Sequence, residues 1–275
     1  MTWKMKDLAV EIHDEQPRTV GAIDLRVGGT GQIQHLYQKG ASKALFARKK
    51  IGTEAIFINT SGGITGGDEL QGYFETNERA CLCVTTQGFE RIYRSRAQIN
   101  GTVRNTIAVK DQSTFYWLPQ ETLLYDGGHL DRSLTVHAST DASTLIVEPL
   151  LFGRLAMGEH SISGHLTDRI TLLIDGTLVF QDATRFRGNI TEILDAPAVL
   201  AGARATALVI FSSPFAKAVL PKIRSHLNDT SGVSLIRDQL LASRLIAPEG
   251  MALRRMLIPI INEVTQTDLP KTWRL

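Results

Sequence analysis

The side chains of this sequence that could do chemistry are carboxylates in unusual company, a close cysteine pair and polar groups beside glycine-rich turns. Glu148 falls inside Leu145-Ile146-Val147-Glu148-Pro149-Leu150-Leu151-Phe152, and Glu159 follows Gly153-Arg154-Leu155-Ala156-Met157-Gly158. An acid within an apolar run is costly unless it is paired or hydrated. Arg154 is a candidate partner for either acid. A wet interior would let the acids line a path for a cation; a dry one would leave a structural ion pair. Asp68 ends Asn59-Thr60-Ser61-Gly62-Gly63-Ile64-Thr65-Gly66-Gly67-Asp68. Doubled glycines mark a tight turn or a close backbone approach. No Gly-Lys-Ser/Thr follows and Asp68 would repel phosphate, so a phosphate loop is excluded; the spacing of a dinucleotide fingerprint is missing too. In Thr85-Thr86-Gln87-Gly88-Phe89-Glu90-Arg91-Ile92-Tyr93-Arg94-Ser95, Tyr93 and Arg94 are the residue types that anchor protein interfaces.

Other chemistries find little support. Cys81 and Cys83 would share a strand face, but no second pair or neighbouring histidine completes a tetrahedral set. Core thiols are the simpler account. His160 and His165 would face opposite sides of one strand, and His129 and His137 flank separate parts of a hairpin. No Gly-x-Ser-x-Gly and no plausible triad is present. A non-enzyme follows, without a tightly bound cofactor.

The elements that must position these residues read as strands. Apolar residues alternate in short runs around Leu70–Thr86 and Thr106–Val147. Three segments share a pattern of polar turn, small residue and apolar strand, with Ala80, Ser113 and Ser143 as the small residues. A unit recurring about every 30 residues predicts stacked β layers, as in a solenoid or β-helix-like barrel; three hairpins of a sandwich are the alternative. Ser213-Pro214 opens a helix predicted over 214–227, with Phe215, Val219, Ile223 and Leu227 on its stripe. A second helix starts near Pro248, and Pro259 should interrupt and kink it. Residues 233–236 and 240–246 could form a hairpin between them. The predicted fold is mostly β, with two C-terminal α-helices and a single domain over 1–275.

The 275 residues suffice for a sizeable core. A net charge of +2 is too small to argue for nucleic acid, and Arg48-Lys49-Lys50 reads as a solvated strand end. The N-terminal Met1-Thr2-Trp3-Lys4-Met5-Lys6-Asp7 lacks the apolar stretch of a signal peptide. No run suits a membrane helix. A cytoplasmic protein is expected.

Several motifs, in order, resemble those of the UreD (UreH) family of urease accessory proteins. They are Gly62-Gly63-Ile64-Thr65-Gly66-Gly67-Asp68, Thr85-Thr86-Gln87, Tyr93-Arg94-Ser95, Trp117-Leu118-Pro119-Gln120-Glu121-Thr122, Glu148 with Gly153–Glu159, and Pro270-Lys271-Thr272-Trp273. Thr60-Ser61 stand where that family often has Pro-Pro, and Lys271 where it usually has arginine. The resemblance implies a β-helix-like fold with a pair of helices and a chaperone role in urease maturation. It implies UreF, the GTPase UreG and the urease subunits as partners, with a dimer possible through that complex. Nickel would be a transient cargo of the metallochaperone complex. Asp68, Glu148 and Glu159 are then candidates for the lining of an internal nickel channel, and Tyr93, Arg94 and Arg154 for partner contact. A purely structural clamp on urease is the alternative. A hydrolase with Asp68 and Glu148 as paired acids would need both in an open groove.

Overall fold

The computed structural model describes residues 18–47 and 52–274. The basic run Arg48–Lys50 and the N-terminal residues read above lie outside them. An antiparallel hairpin, β1 (Val20–Gly28) and β2 (Gln32–Gly40), opens a first sheet, and β3 (Ser42–Ala47) and β4 (Thr53–Asn59) open a second. The chain then winds. Its first circuit is β5 (Glu69–Thr76) in the first sheet, β6 (Cys81–Thr86) in the second and the short β7 (Glu90–Ile92). The next is β8 (Gly101–Val109), β9 (Thr114–Leu118) and β10 (Thr122–Leu124). A third is β11 (Gly128–Ala138) and β12 (Ser143–Phe152), the latter long enough to pair with both β9 and β10. The last solenoid strand is β13 (Ser163–Ile174), on which β14 (Thr177–Asn189) folds back antiparallel. Successive circuits pair in parallel, as a solenoid requires.

The predicted repeat is present, with one correction. Each corner is a turn closed by a main-chain bond: Ala80 N to Asn77 O, Ser113 N to Lys110 O and Ala142 N to Ser139 O. The amides of Thr114 and Ser143 then bond the carbonyls of Ala80 and Ser113 on the circuit before. The third small residue is therefore Ala142, not Ser143, which stacks on Thr114. All three small residues are buried, where a larger side chain would meet the neighbouring layer.

The chain completes the second sheet with three antiparallel strands and adds helices. In order these are α1 (Ile190–Asp195), β15 (Ala205–Ser212), α2 (Ala216–Ser225), β16 (Gly232–Arg237), β17 (Leu240–Ala247) and α3 (Gly250–Thr265). The hairpin β16–β17 and both C-terminal helices match expectation. The short α1 was not anticipated. Helix α2 begins at Ala216 because Phe215 has left helical geometry; its ring is 71% exposed rather than part of the stripe. Pro259 does not interrupt α3, which runs unbroken to Thr265. Leu253, Leu257, Ile260 and Ile261 are buried in one cluster with Val209, Leu241 and Leu245 of the second sheet, and that packing outweighs the lost amide. Glu249 caps the helix by accepting the amides of Met251 and Ala252, each at 2.9 Å.

The space between the sheets holds two apolar clusters, one around Phe74, Phe115 and Val136, the other around Leu70, Leu130 and Phe152. Along the inward side of β11, Leu130 belongs to the second and Leu134 to the first, with Arg132 between them. The core is thus crossed by a polar belt.

Candidate functional site

The double-glycine turn packs main chain against main chain on the Tyr93 segment. The amide of Ile64 donates to Arg91 O (2.8 Å) and that of Tyr93 to Ile64 O (2.7 Å). Gly63 has φ +153°, and a Cβ there would lie 2.7 Å from Arg91 O and collide with the Tyr93 ring. This is the physical need for glycine. Asp68 is buried, and its two oxygens accept the amides of Thr19 and Thr65, both at 2.8 Å. The carboxylate closes the turn and ties down the strand that enters β1.

Tyr93, Arg94, Arg154 and Glu159 come together on one surface. Arg154 binds Glu159 through two side-chain bonds (2.9 and 3.1 Å), and its own amide donates to the same carboxylate (3.0 Å). The Arg154 guanidinium lies 4.4 Å from the centre of the Tyr125 ring, and Tyr125 meets Tyr93 edge-on at 5.2 Å. Arg94 pairs with Asp126, which also accepts the Ser163 amide (2.9 Å). The bonds from Arg154 hold the Glu159 carboxyl below its ordinary range. Met157, 77% exposed, projects from the turn between Arg154 and Glu159. Arginine, tyrosine and methionine in one exposed patch are suited to a protein partner.

Glu148 is in the polar belt, away from that surface. Its Oε1 accepts Trp117 Nε1–H (2.7 Å), and its Oε2 lies 2.7 Å from Arg132 Nη1 without forming an aligned hydrogen bond. Arg132 is register partner to Asp168 on β13 and binds it in a fork (2.9 and 2.6 Å). Its third contact is Thr122 Oγ1 (3.0 Å). Burial pushes the Glu148 carboxyl up to about 7, against the opposing pull of Arg132. Glu90 is also raised to about 7 by burial, with its bond from Asn59 (3.1 Å) acting the other way. Asp68 and Glu148 are both buried, with the Asp68 oxygens committed to main-chain amides; they do not form the paired acids of an open hydrolytic groove.

Two hollows meet at Glu90. An outer pocket of about 320 Å³ is lined by Phe57–Asn59, Gly62 and Thr86–Arg91. An inner cavity of about 50 Å³ is lined by Glu90, Thr122, Arg132 and Glu148, with the amides of Asn105 and Gln120 and apolar side chains completing its wall. That inner space exceeds the roughly 15 Å³ one water needs. Phe57, Thr86 and Glu90 line both. Sequence reasoning missed Glu90, Arg132 and Asp168, which look like ordinary polar positions until the register brings them together.

Two further motifs meet at the back of this wall. Trp273 Nε1–H donates to Leu118 O (2.9 Å), and Arg254 of α3 grips Glu121 in a fork (2.6 and 2.7 Å) while also bonding Gln120. The Arg254 guanidinium stands 5.5 and 5.4 Å from the rings of Phe89 and Trp273. The tail and α3 thereby hold the lip of the outer pocket.

Cys83 is buried and Cys81 half-buried. His129 and His165, read apart in the sequence, are register partners with rings 6.1 Å apart. Among the described residues, no group of three or more His, Cys, Asp and Glu side chains is arranged to hold a metal ion. Among the same residues, no helix is long and apolar enough to cross a membrane.

Comparison with known proteins agrees with the family resemblance. The family model described as UreD urease accessory protein matches residues 19–274. "Urease accessory protein UreD" of Ruegeria pomeroyi is 41% identical over 250 residues, 90% of this chain and 97% of the relative. The protein of that name from Roseobacter denitrificans is 39% identical over 266 residues, 95% and 97% of the two chains. The one from Agrobacterium fabrum is 33% identical over 276 residues, 98% and 95%. These relatives are named as accessory proteins, not as enzymes.

Proposed function

Since the chain belongs to the UreD family of urease accessory proteins, and so serves urease maturation, we propose that it is a non-catalytic scaffold that also guides nickel toward apo-urease. It works in the cytoplasm within a complex that includes UreF and the GTPase UreG. The observation that carries the conduit is the pair Glu90 and Glu148, set at successive positions along two adjoining hollows. Nickel is the cargo, entering by the outer pocket and passing Glu90 to reach Glu148.

The chemistry suits hand-over. Carboxylate oxygens are weak partners for nickel compared with thiolate or imidazole, so the ion is released readily. Both acids titrate near neutrality, so an arriving dication displaces their protons and leaves when protons return. Asp168 takes the fork of Arg132 and so shares that cation with Glu148, whose Oε2 lies 2.7 Å from Nη1. Asp68 and Glu159 support this path from outside it, by fixing the turn and the surface patch. Tyr93, Arg94 and Arg154 supply the partner contact.

A structural clamp without conduction is the competing reading, favoured by the ion pair that Glu148 makes with Arg132. Co-expression with urease and the other accessory proteins separates the two. Thr122→Leu, whose added volume of about 50 Å³ matches the inner cavity, should leave the complex assembled and cut urease nickel at least about tenfold. Full nickel loading by that variant would leave the clamp.

A further inference from the structure

The outer face of the first sheet, at its β14 end, carries a concentration of positive charge that the proposed conduit does not use. The register sets it out in rungs. His129, His165 and Arg187 are side by side on β11, β13 and β14; Asp131, Thr167 and Arg185 form the next rung; Arg104, Ser133 and Arg169 form a third across β8, β11 and β13. Asp131 is the one acid in these rungs. It is shared by Arg104 (3.0 Å) and Arg169 (2.8 Å). Arg185 and Arg187 are exposed and make no ion pair among the described residues. With histidines neutral the three rungs sum to +3, whereas the whole chain carries only +2. Burial holds the His129 imidazole toward its neutral form, His165 adds to that, and Arg187 contributes least.

Edge strands are commonly charged to prevent unwanted pairing. That need explains a charge on β14. It does not explain why β13 and β8 add Arg169 and Arg104, whose two charges share the single carboxylate of Asp131. The strand itself is open. It ends the sheet, and none of its 13 residues is buried.

We infer that β14 and the arginines beside it dock an acidic, extended segment of a partner protein, which adds to the sheet edge and sets alternate carboxylates against Arg185 and Arg187. Alternate residues of a strand recur every ~6.5–7 Å on one face, so a Glu-x-Glu segment matches the two arginines in register. Main-chain bonds to the edge supply affinity and the arginines select charge. A nucleic acid fits less well, because the rungs offer no exposed aromatic ring for base stacking. The site goes beyond the nickel reading and is independent of it.

The test uses the full chain and a fluorescein-labelled peptide of twelve alternating glutamates and threonines. Anisotropy at low salt should show binding, and amide exchange at residues 181–188 should slow. Arg185→Ser with Arg187→Ser should weaken binding at least about tenfold, and Arg187→Gln alone about threefold. Lys110→Ser with Lys217→Ser removes the same charge elsewhere and should leave affinity unchanged. Equal loss in that control would overturn the proposal. So would no binding at millimolar peptide, or tighter binding of a twelve-nucleotide oligo-dT at the same salt. No nickel or urease is present, so failure here leaves the conduit untouched.

Discussion

Glu148→Gln offers a quantitative check on the polar belt, because it removes the ionisation and keeps the shape. The folded protein holds Glu148 at about 7, against 4.5 for an unperturbed glutamate. A folded value above the unfolded one means that folding takes up a proton between the two. The associated stability is fully present below about pH 4.5 and is lost as pH rises through about 7. At about 1.4 kcal/mol per pH unit, the loss approaches about 3 kcal/mol. The glutamine variant lacks this loss. It keeps an acceptor for Trp117 Nε1–H, while its amide facing Arg132 adds a penalty that does not vary with pH. Urea unfolding of both proteins at about pH 5 and about pH 8 cancels that constant offset. Between those two pH values the variant should gain about 2.5 kcal/mol relative to wild type, or roughly 5–10 °C in Tm. An unchanged gap, or one that moves against the variant, would show Glu148 already ionised at pH 5 and refute the reasoning.

Other substitutions probe the supports. Arg254→Ala leaves Glu121, which is fully buried, without its guanidinium; a loss of about 3–5 kcal/mol is expected in urea unfolding. Trp273→Ala removes a buried ring and the bond to Leu118 O, with a similar loss of about 3–5 kcal/mol by the same assay. Gly63→Ala forces a side chain into the Tyr93 segment at positive φ and should cost more than about 1 kcal/mol, seen as a lower Tm. Arg154→Ala should leave urea unfolding close to wild type, because the Arg154 side chain stands in solvent where its pair with Glu159 is screened. It should still weaken co-purification with partner proteins.

Much of the fold was legible because each solenoid corner repeats one device, a polar turn followed by a small buried residue. The one-residue error arose at Ala142-Ser143, where Ser143 mimics Ser113 and only the interstrand register tells them apart. Helix α1 escaped because its six residues are too few to show a period; Asn189 caps it, accepting the Glu192 amide. Pro259 misled because local chemistry was weighed without the packing of α3. The surface patch was half legible. Arg154 and Glu159 are close in sequence, but Tyr93 joins them only through Tyr125. The polar belt was the least legible. In Asp131-Arg132-Ser133 the arginine reads as solvent-facing, and its partner Asp168 lies a full circuit away. Glu90 sits in a stretch that reads as a polar loop, and only the two hollows show what it faces.

On the proposed function, this accessory protein serves urease by passing nickel along Glu90 and Glu148. The direct measurement is nickel per active site in urease matured with the Glu90→Gln, Glu148→Gln double variant, with assembly of the accessory complex checked by co-purification. The account predicts an intact complex and nickel reduced at least about tenfold. An intact complex that delivers a full complement of nickel would contradict it.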